Sequence, residues 1–144
     1  MRPRLAIACL LLLVAFPAPA APPPAVRLVV RGDAGVESLT RAQVADLFLK
    51  RETCLPDGTR ARPVDLVSGS PVRESFSRLI LERQVGTVVR YWHRMISLGR
   101  GVPPPRKATE EAVLDYVTRH PGGIGYVSRD VPLPRGLREV EILP

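Results

Sequence analysis

The chain has 144 residues, with 21 lysines and arginines against 14 acidic residues, a formal charge of +7, and two cysteines. That length suits one compact domain with a core and is short for two. A hydrophobic content of 45% excludes a disordered polar chain, and two cysteines exclude a disulfide-stapled scaffold.

Arg2 and Arg4 precede an unbroken apolar run from Leu5 to Phe16, which is too short to span a bilayer as a helix. Ala18-Pro19-Ala20 follows with the small-x-small pattern of a cleavage site. Residues 1–20 therefore read as a secretory signal peptide, and the product is expected to be periplasmic or secreted, with no membrane span after cleavage. Cys9 does not complete a lipoprotein signal, because Ala6 stands where a bulky residue is needed. Cleavage removes two arginines and no acid, which lowers the charge to +5. It also leaves Cys54 alone, so no internal disulfide can form. Export argues against a nucleic-acid partner. A small anion or an anionic surface suits a basic exported domain better.

Residues 21–25 read as an extended Ala/Pro tether and residues 26–144 as a single domain. Val26 to Val30 is a strand whose nearly continuous apolar character suits cover on both faces, as in parallel sheets. Gly32-Asp33-Ala34-Gly35 breaks it. Thr40 and Gln43 form a capping box that opens the first helix, with Val44, Leu47 and Phe48 as its inner stripe and an end near Leu49 or Lys50. Pro56-Asp57-Gly58 is a tight turn, after which Pro63 to Val67 returns as a strand. The second helix is expected from Pro71 to Glu82, burying Val72, Phe76, Leu79 and Ile80. Gly86 interrupts. The third helix, from about Thr87, buries Val88, Val89, Trp92, Met95 and Ile96, exposes Arg90, His93, Arg94 and Ser97, and closes at Leu98-Gly99. A loop with three prolines leads to a fourth helix at Thr109, whose first-turn Glu110 and Glu111 complement the helix dipole. Its inner face is Ala112, Val113, Tyr116 and Val117, and Pro121-Gly122-Gly123 ends it. Ile124 to Val127 and Val140 to Leu143 are the last strands. This alternation favours an α/β fold, a three-layer sandwich with a mainly parallel sheet.

The stretch from Pro63 to Phe76 carries the chemistry. It reads as strand, polar turn and helix start, with Ser70 as N-cap and Pro71 at the first helical position. Ser68, Gly69 and Ser70 then face the unpaired amides of a helix N-terminus, an arrangement that suits an anion. Gly69 lacks a Cβ that would keep a ligand away from the backbone. Arg73 either completes the charge balance of a bound anion or pairs with Asp65 or Glu74. The alternative is that Ser70 serves only as a cap, a role worth about 1 kcal/mol.

Several motifs coincide in order. Ser38 to Leu49 followed by Pro56-Asp57-Gly58 resembles the helix-and-turn segment of periplasmic phosphate-binding proteins, the receptors of phosphate ABC transporters. Ser68-Gly69-Ser70 followed by Phe76 is similar to their Ser-Gly-Thr anion loop, and Pro121 to Val127 to their Pro-Gly-Ala-Ile-Gly-Tyr-Val strand. Tyr91-Trp92 and the Gly99 to Pro104 loop resemble a short, single-lobe branch of that family. The resemblance implies one lobe of a type II periplasmic-binding-protein fold, with phosphate or a related oxyanion held by Ser68, Gly69, Ser70 and Arg73. It also implies an ABC permease, or a second copy completing the cleft, as partner. Three departures stand out. Cys54-Leu55 replaces the tryptophan of the turn, Ser70 replaces threonine, and the chain has room for only one of the two lobes.

Other chemistries find little footing. Trp92 lies on an apolar helix face and reads as core. His93 and His120 have no third ligand near them in sequence, so no metal is expected. Gly122-Gly123-Ile124-Gly125 has the wrong spacing for a dinucleotide fingerprint and enters a strand. No nucleophile–base pair is recognisable, so neither catalysis nor a cofactor is expected. The sequence thus points to an exported solute-binding-type protein. The alternative is a single-lobe interaction module of the cell envelope that has lost its ligand and contacts a partner through Arg90, His93 and Arg94 or the proline loop.

Overall fold

The computed structural model describes residues 22–144, so the signal-peptide assignment to residues 1–20 lies outside the described residues. In chain order the elements are β1 (Val26–Arg31), β2 (Ser38–Thr40), α1 (Arg41–Phe48), β3 (Arg62–Pro63), β4 (Asp65–Leu66), α2 (Pro71–Leu79), α3 (Val85–Ser97), β5 (Arg106–Lys107), α4 (Glu110–Arg119), β6 (Gly123–Ser128) and β7 (Leu137–Leu143). Five strands make the main sheet in the order β2-β7-β1-β6-β3, and β4 pairs with β5 beside it.

β1 is the spine of the sheet, and it runs antiparallel to both neighbours, β6 and β7. The other three pairings, β2 with β7, β3 with β6 and β4 with β5, are parallel and short. The continuous apolar run of β1 thus reflects a central strand covered on both faces, not the direction of its neighbours. Leu28, Val29 and Val30 are all fully buried.

The register assigns the two faces. Leu28 sits opposite Tyr126 and Val140, while Val29 sits opposite Gly125 and Glu139. Side chains alternate along a strand, so Leu28, Tyr126 and Val140 share one face. The α1 and α2 layer covers it: Phe48 of α1 and Phe76 of α2 both lie against the Tyr126 ring. The other face packs on α4, and Gly125 is the reason α4 sits so close. A Cβ there would lie 2.6 Å from Val113 Cγ1 and 2.9 Å from Val64 Cγ1. With helices on both faces of a central sheet, the domain is a three-layer α/β sandwich.

Local signals account for the helix starts. Thr40 caps α1 in a reciprocal capping box with Gln43, whose Oε1 accepts from the Thr40 amide at 2.8 Å. Thr109 caps α4, and Ser70 caps α2 with Pro71 in its first turn. The Pro56-Asp57-Gly58 turn closes with Gly58 at φ +83. Asp57 accepts from the Thr59 amide at 2.8 Å and the Gly35 amide at 3.0 Å, pinning the turn to the loop after β1. The Thr59 hydrogen bond is the main reason the Asp57 carboxyl is held below its ordinary range.

Two expected core positions are corrected. Leu79 and Ile96 are about half exposed, at 52% and 50%. α2 stops at Leu79 and does not continue to Glu82, which adopts a left-handed conformation at φ 52. α3 packs on α2, and it is longer, with 13 residues against nine. At 1.5 Å per residue the shorter helix falls about 6 Å short. Val88 and Trp92 are buried, Val89 and Met95 are half-buried, and Ile96 lies beyond cover. Trp92 is core, as its apolar face implies.

Gly125→Ala should destabilise the domain by about 1–3 kcal/mol through overpacking against Val113 and Val64. Urea unfolding monitored by Trp92 fluorescence measures it, and an unchanged midpoint would contradict the close sheet–α4 contact.

Candidate functional site

The Pro63–Phe76 stretch folds as strand, turn and helix, as its sequence implies. Val64 and Leu66 are fully buried, and the Val64 amide donates to Ile124 O at 2.9 Å. Val67 donates to Lys107 O at 3.0 Å, which ties the end of the strand to β5. The Ser70 amide then donates back to Val67 O at 3.1 Å, closing a turn whose outer residues, Ser68 and Gly69, are exposed. Ser70 is half-buried, and its Oγ accepts from the Arg73 amide at 3.3 Å as the N-cap of α2. Its carbonyl accepts from the Glu74 amide at 3.1 Å. A Cβ built on Gly69 meets nothing within 4 Å, so the protein itself does not require glycine there.

Arg73 is not among the exposed groups of the turn. Its side chain is 3% exposed and lies within the fold. Nη2 pairs with Asp65 Oδ2 at 3.0 Å, and Nη1 donates to the Leu66 carbonyl. Of the two roles left open by the sequence, the pairing with Asp65 is therefore the one the structure displays. The Arg73 Nε remains without a protein acceptor.

Asp65 collects further donors. Its Oδ1 accepts from the Leu66 amide at 2.8 Å and from the Tyr126 hydroxyl. The Tyr126 ring stacks face to face on Phe76 at a centroid distance of 3.8 Å, and Phe48 tilts against Phe76 at 4.8 Å. An aromatic contact of this kind adds about 0.5–1.5 kcal/mol beyond burial. A polar triad of Asp65, Arg73 and Tyr126 thus sits under the turn, walled by aromatic rings. Nothing in the spacing announced Tyr126, which lies 61 residues from Asp65.

Burial governs the titration of this cluster. It pushes the Asp65 carboxyl above its ordinary range, and Arg73, the Tyr126 hydrogen bond and the Leu66 amide offset it only in part. Burial and then the Asp65 charge hold the Tyr126 phenol far above its usual value, so it stays a donor. A raised folded pKa for Asp65 means that the native state binds the proton more tightly than the unfolded chain. The associated stability is fully present below the unfolded carboxylate pKa and is lost as pH rises through the folded value.

No protein-family model matches the sequence, and no curated protein does. Solved structures do match the fold. A phosphate transport receptor of the ABC type from Vibrio cholerae superposes with a TM-score of 0.64 at 15% identity, over 83% of this chain and 46% of the receptor. A putative phosphate ABC transporter substrate-binding protein from Clostridium perfringens, solved with bound phosphate, gives 0.66 at 15% identity, over 83% and 45%. PstS from Borrelia burgdorferi gives 0.64 at 11% identity, over 83% and 47%. The described chain has the fold of one lobe of such a receptor and spans about half the length of these proteins.

The Asp65–Arg73–Tyr126 triad carries a particular pH signature. Arg73→Met should cost roughly 3–5 kcal/mol at neutral pH, because a buried carboxylate loses its cation. The cost should shrink at acid pH, because a carboxyl raised above its ordinary range takes up a proton more readily. Adding Asp65→Asn should restore most of the loss. Urea unfolding of the single and double variants at neutral and acid pH checks this, and a cost independent of pH would contradict it.

Proposed function

We propose that this is an exported solute-binding-type protein that holds phosphate or a similar oxyanion at the α2 N-terminus. The observation that carries the reading is the Ser68-Gly69-Ser70 turn, exposed at Ser68 and Gly69, capped onto α2 by Ser70 and anchored from beneath by the Asp65–Arg73 pair. Similarity in fold to phosphate receptors supports it. In this reading the hydroxyls of Ser68 and Ser70 and the amides of Ser68 and Gly69 donate to the anion, and the helix dipole favours its charge. Arg73 acts from below. It fixes the turn by gripping the Leu66 carbonyl, and it offsets the Asp65 charge that would otherwise repel an anion. The mechanism is binding by charge-assisted hydrogen bonds, with no chemistry on the ligand. The protein would act in the periplasm or outside the cell. A second copy, or a permease of the ABC type, would complete the cleft that one lobe leaves open.

A second reading, a single-lobe interaction module, is favoured by one observation. Ile96, Leu98 and Val102 are all at least half exposed at the end of α3 and in the loop that follows. Beside Arg94 and Arg100 they form a mixed apolar and basic surface.

Calorimetric titration with phosphate separates the two. The binding reading predicts saturable heat at millimolar affinity or better. It further predicts that Gly69→Val weakens binding at least about tenfold, or roughly 1.4 kcal/mol, with an unchanged unfolding midpoint, since the added side chain enters open space. Absence of heat at concentrations that would drive dimer formation would favour the interaction module.

A further inference from the structure

A second concavity lies at the other end of the β3–β4 strand, away from the serine turn. It has a volume of about 230 Å³ and is lined by Lys50, Arg60 and Arg62, with Glu52 as the one carboxylate and Leu47, Pro63, Pro105 and Tyr116 as a partly apolar wall. Arg62 precedes Ser68 by six residues, so at about 3.3 Å per residue the two ends of this segment are up to roughly 20 Å apart.

The three cations are held close together by rigid backbone. Arg60 and Arg62 are two residues apart in extended chain and share a face. Cys54 bridges Arg60, the Ala61 amide donates to Thr53 O at 2.9 Å, and the Arg62 amide donates to Gly122 O at 2.8 Å. Gly122 permits that contact: a Cβ there would lie 2.0 Å from the Arg60 carbonyl oxygen. Lys50 faces them from the end of α1, in a left-handed backbone conformation at φ 52, with its amide on Leu47 O at 3.2 Å.

None of the three cations makes an ion pair among the described residues, whereas Arg31, Arg41, Arg51, Arg73, Arg119 and Arg129 all do. Glu52 offsets only one of the three charges and is paired with none of them, so the lining keeps a net positive charge. Its Oε1 is engaged by the Thr53 and Cys54 amides at 2.7 and 3.1 Å. Burial, and then the Arg60 charge, push the Lys50 ammonium below its ordinary range, so the protein leaves this cation unfavourably placed. An anion in the concavity would relieve that repulsion.

We propose that this cleft is a second binding site, for a small organic dianion with a short carbon skeleton. Two arginines on one strand face offer guanidinium forks to one oxyanion group, and Lys50 offers a point charge to the other. Leu47, Pro63 and Pro105 receive the carbon chain. The cavity holds the volume of about seven or eight waters, which limits the ligand to a few carbons. The shared chemistry is two anionic groups on a short chain, and either a dicarboxylate or a phosphate monoester of a small alcohol presents it.

Calorimetry with succinate, glycerol 3-phosphate and inorganic phosphate tests this. We expect one of the first two to bind at about 1 mM or better, and to do so equally well with phosphate at saturation. Arg60→Gln with Arg62→Gln should weaken that binding at least about tenfold. Arg83→Gln with Arg135→Gln removes the same charge elsewhere and should leave it intact. All four side chains are exposed, and a dispersed amide spectrum checks that each variant folds. Failure of both organic anions to bind, or equal weakening by the two double variants, would overturn the proposal. Competition by inorganic phosphate at equal affinity would overturn the organic-ligand assignment.

Discussion

The Asp65–Arg73 ion pair is the constraint around which the β4–α2 end of this domain is arranged. Removing two charges from water is costly, and their attraction repays it only with good geometry and further hydrogen bonds. Here the repayment comes from three directions. Arg73 reaches Asp65 and the Leu66 carbonyl, Tyr126 donates from β6, and the Leu66 amide donates from the strand itself. The pair therefore joins β4, α2 and the central sheet at one point. The serine turn between β4 and α2 has both of its flanks tied to that point, which leaves its outer residues free to face solvent.

This arrangement revises the role that the sequence offered to Arg73. A cation in the first turn of a helix opposes the helix dipole, which reads in sequence as an invitation to a ligand. In the folded chain that cation is occupied by a carboxylate. Positive charge at the surface of the turn comes instead from backbone amides and the dipole, and the arginine supplies position. The unpaired cations of the described chain include Lys50, Arg60 and Arg62, which gather at a separate cleft. Of the alternative roles that the sequence left open for Arg73, the folded chain displays the pairing with Asp65.

Much of the fold was legible because its signals are local. The Thr40–Gln43 capping box, Ser70 before Pro71, the Pro56-Asp57-Gly58 turn and the apolar run of β1 each act within a few residues, and all four are present, although β1 runs antiparallel to both neighbours where its run suggested a parallel sheet. What the sequence hid is non-local. β2 and β5 are two- or three-residue strands defined by partners about 100 and 40 residues away, and so carry no periodicity of their own. Leu79 and Ile96 fit a helical stripe, yet cover depends on how far the neighbouring helix extends. The site follows the same rule. Asp65 was visible as a possible partner of Arg73, but Tyr126 and the Phe76 stack became part of the site only through the pairing of β6 with β1. The cleft formed by Lys50, Arg60 and Arg62 likewise depends on a hairpin closing against Gly122.

The central claim is that a turn held from beneath by a buried ion pair presents an oxyanion site at its surface. Titrating the amide spectrum of the protein with phosphate tests it most directly. The account predicts saturable shifts at Ser68, Gly69 and Val72, with the Tyr126 amide little changed because the triad below is already formed. Shifts confined to the Lys50–Arg62 cleft, or no saturable shift at up to roughly 10 mM phosphate, would contradict it.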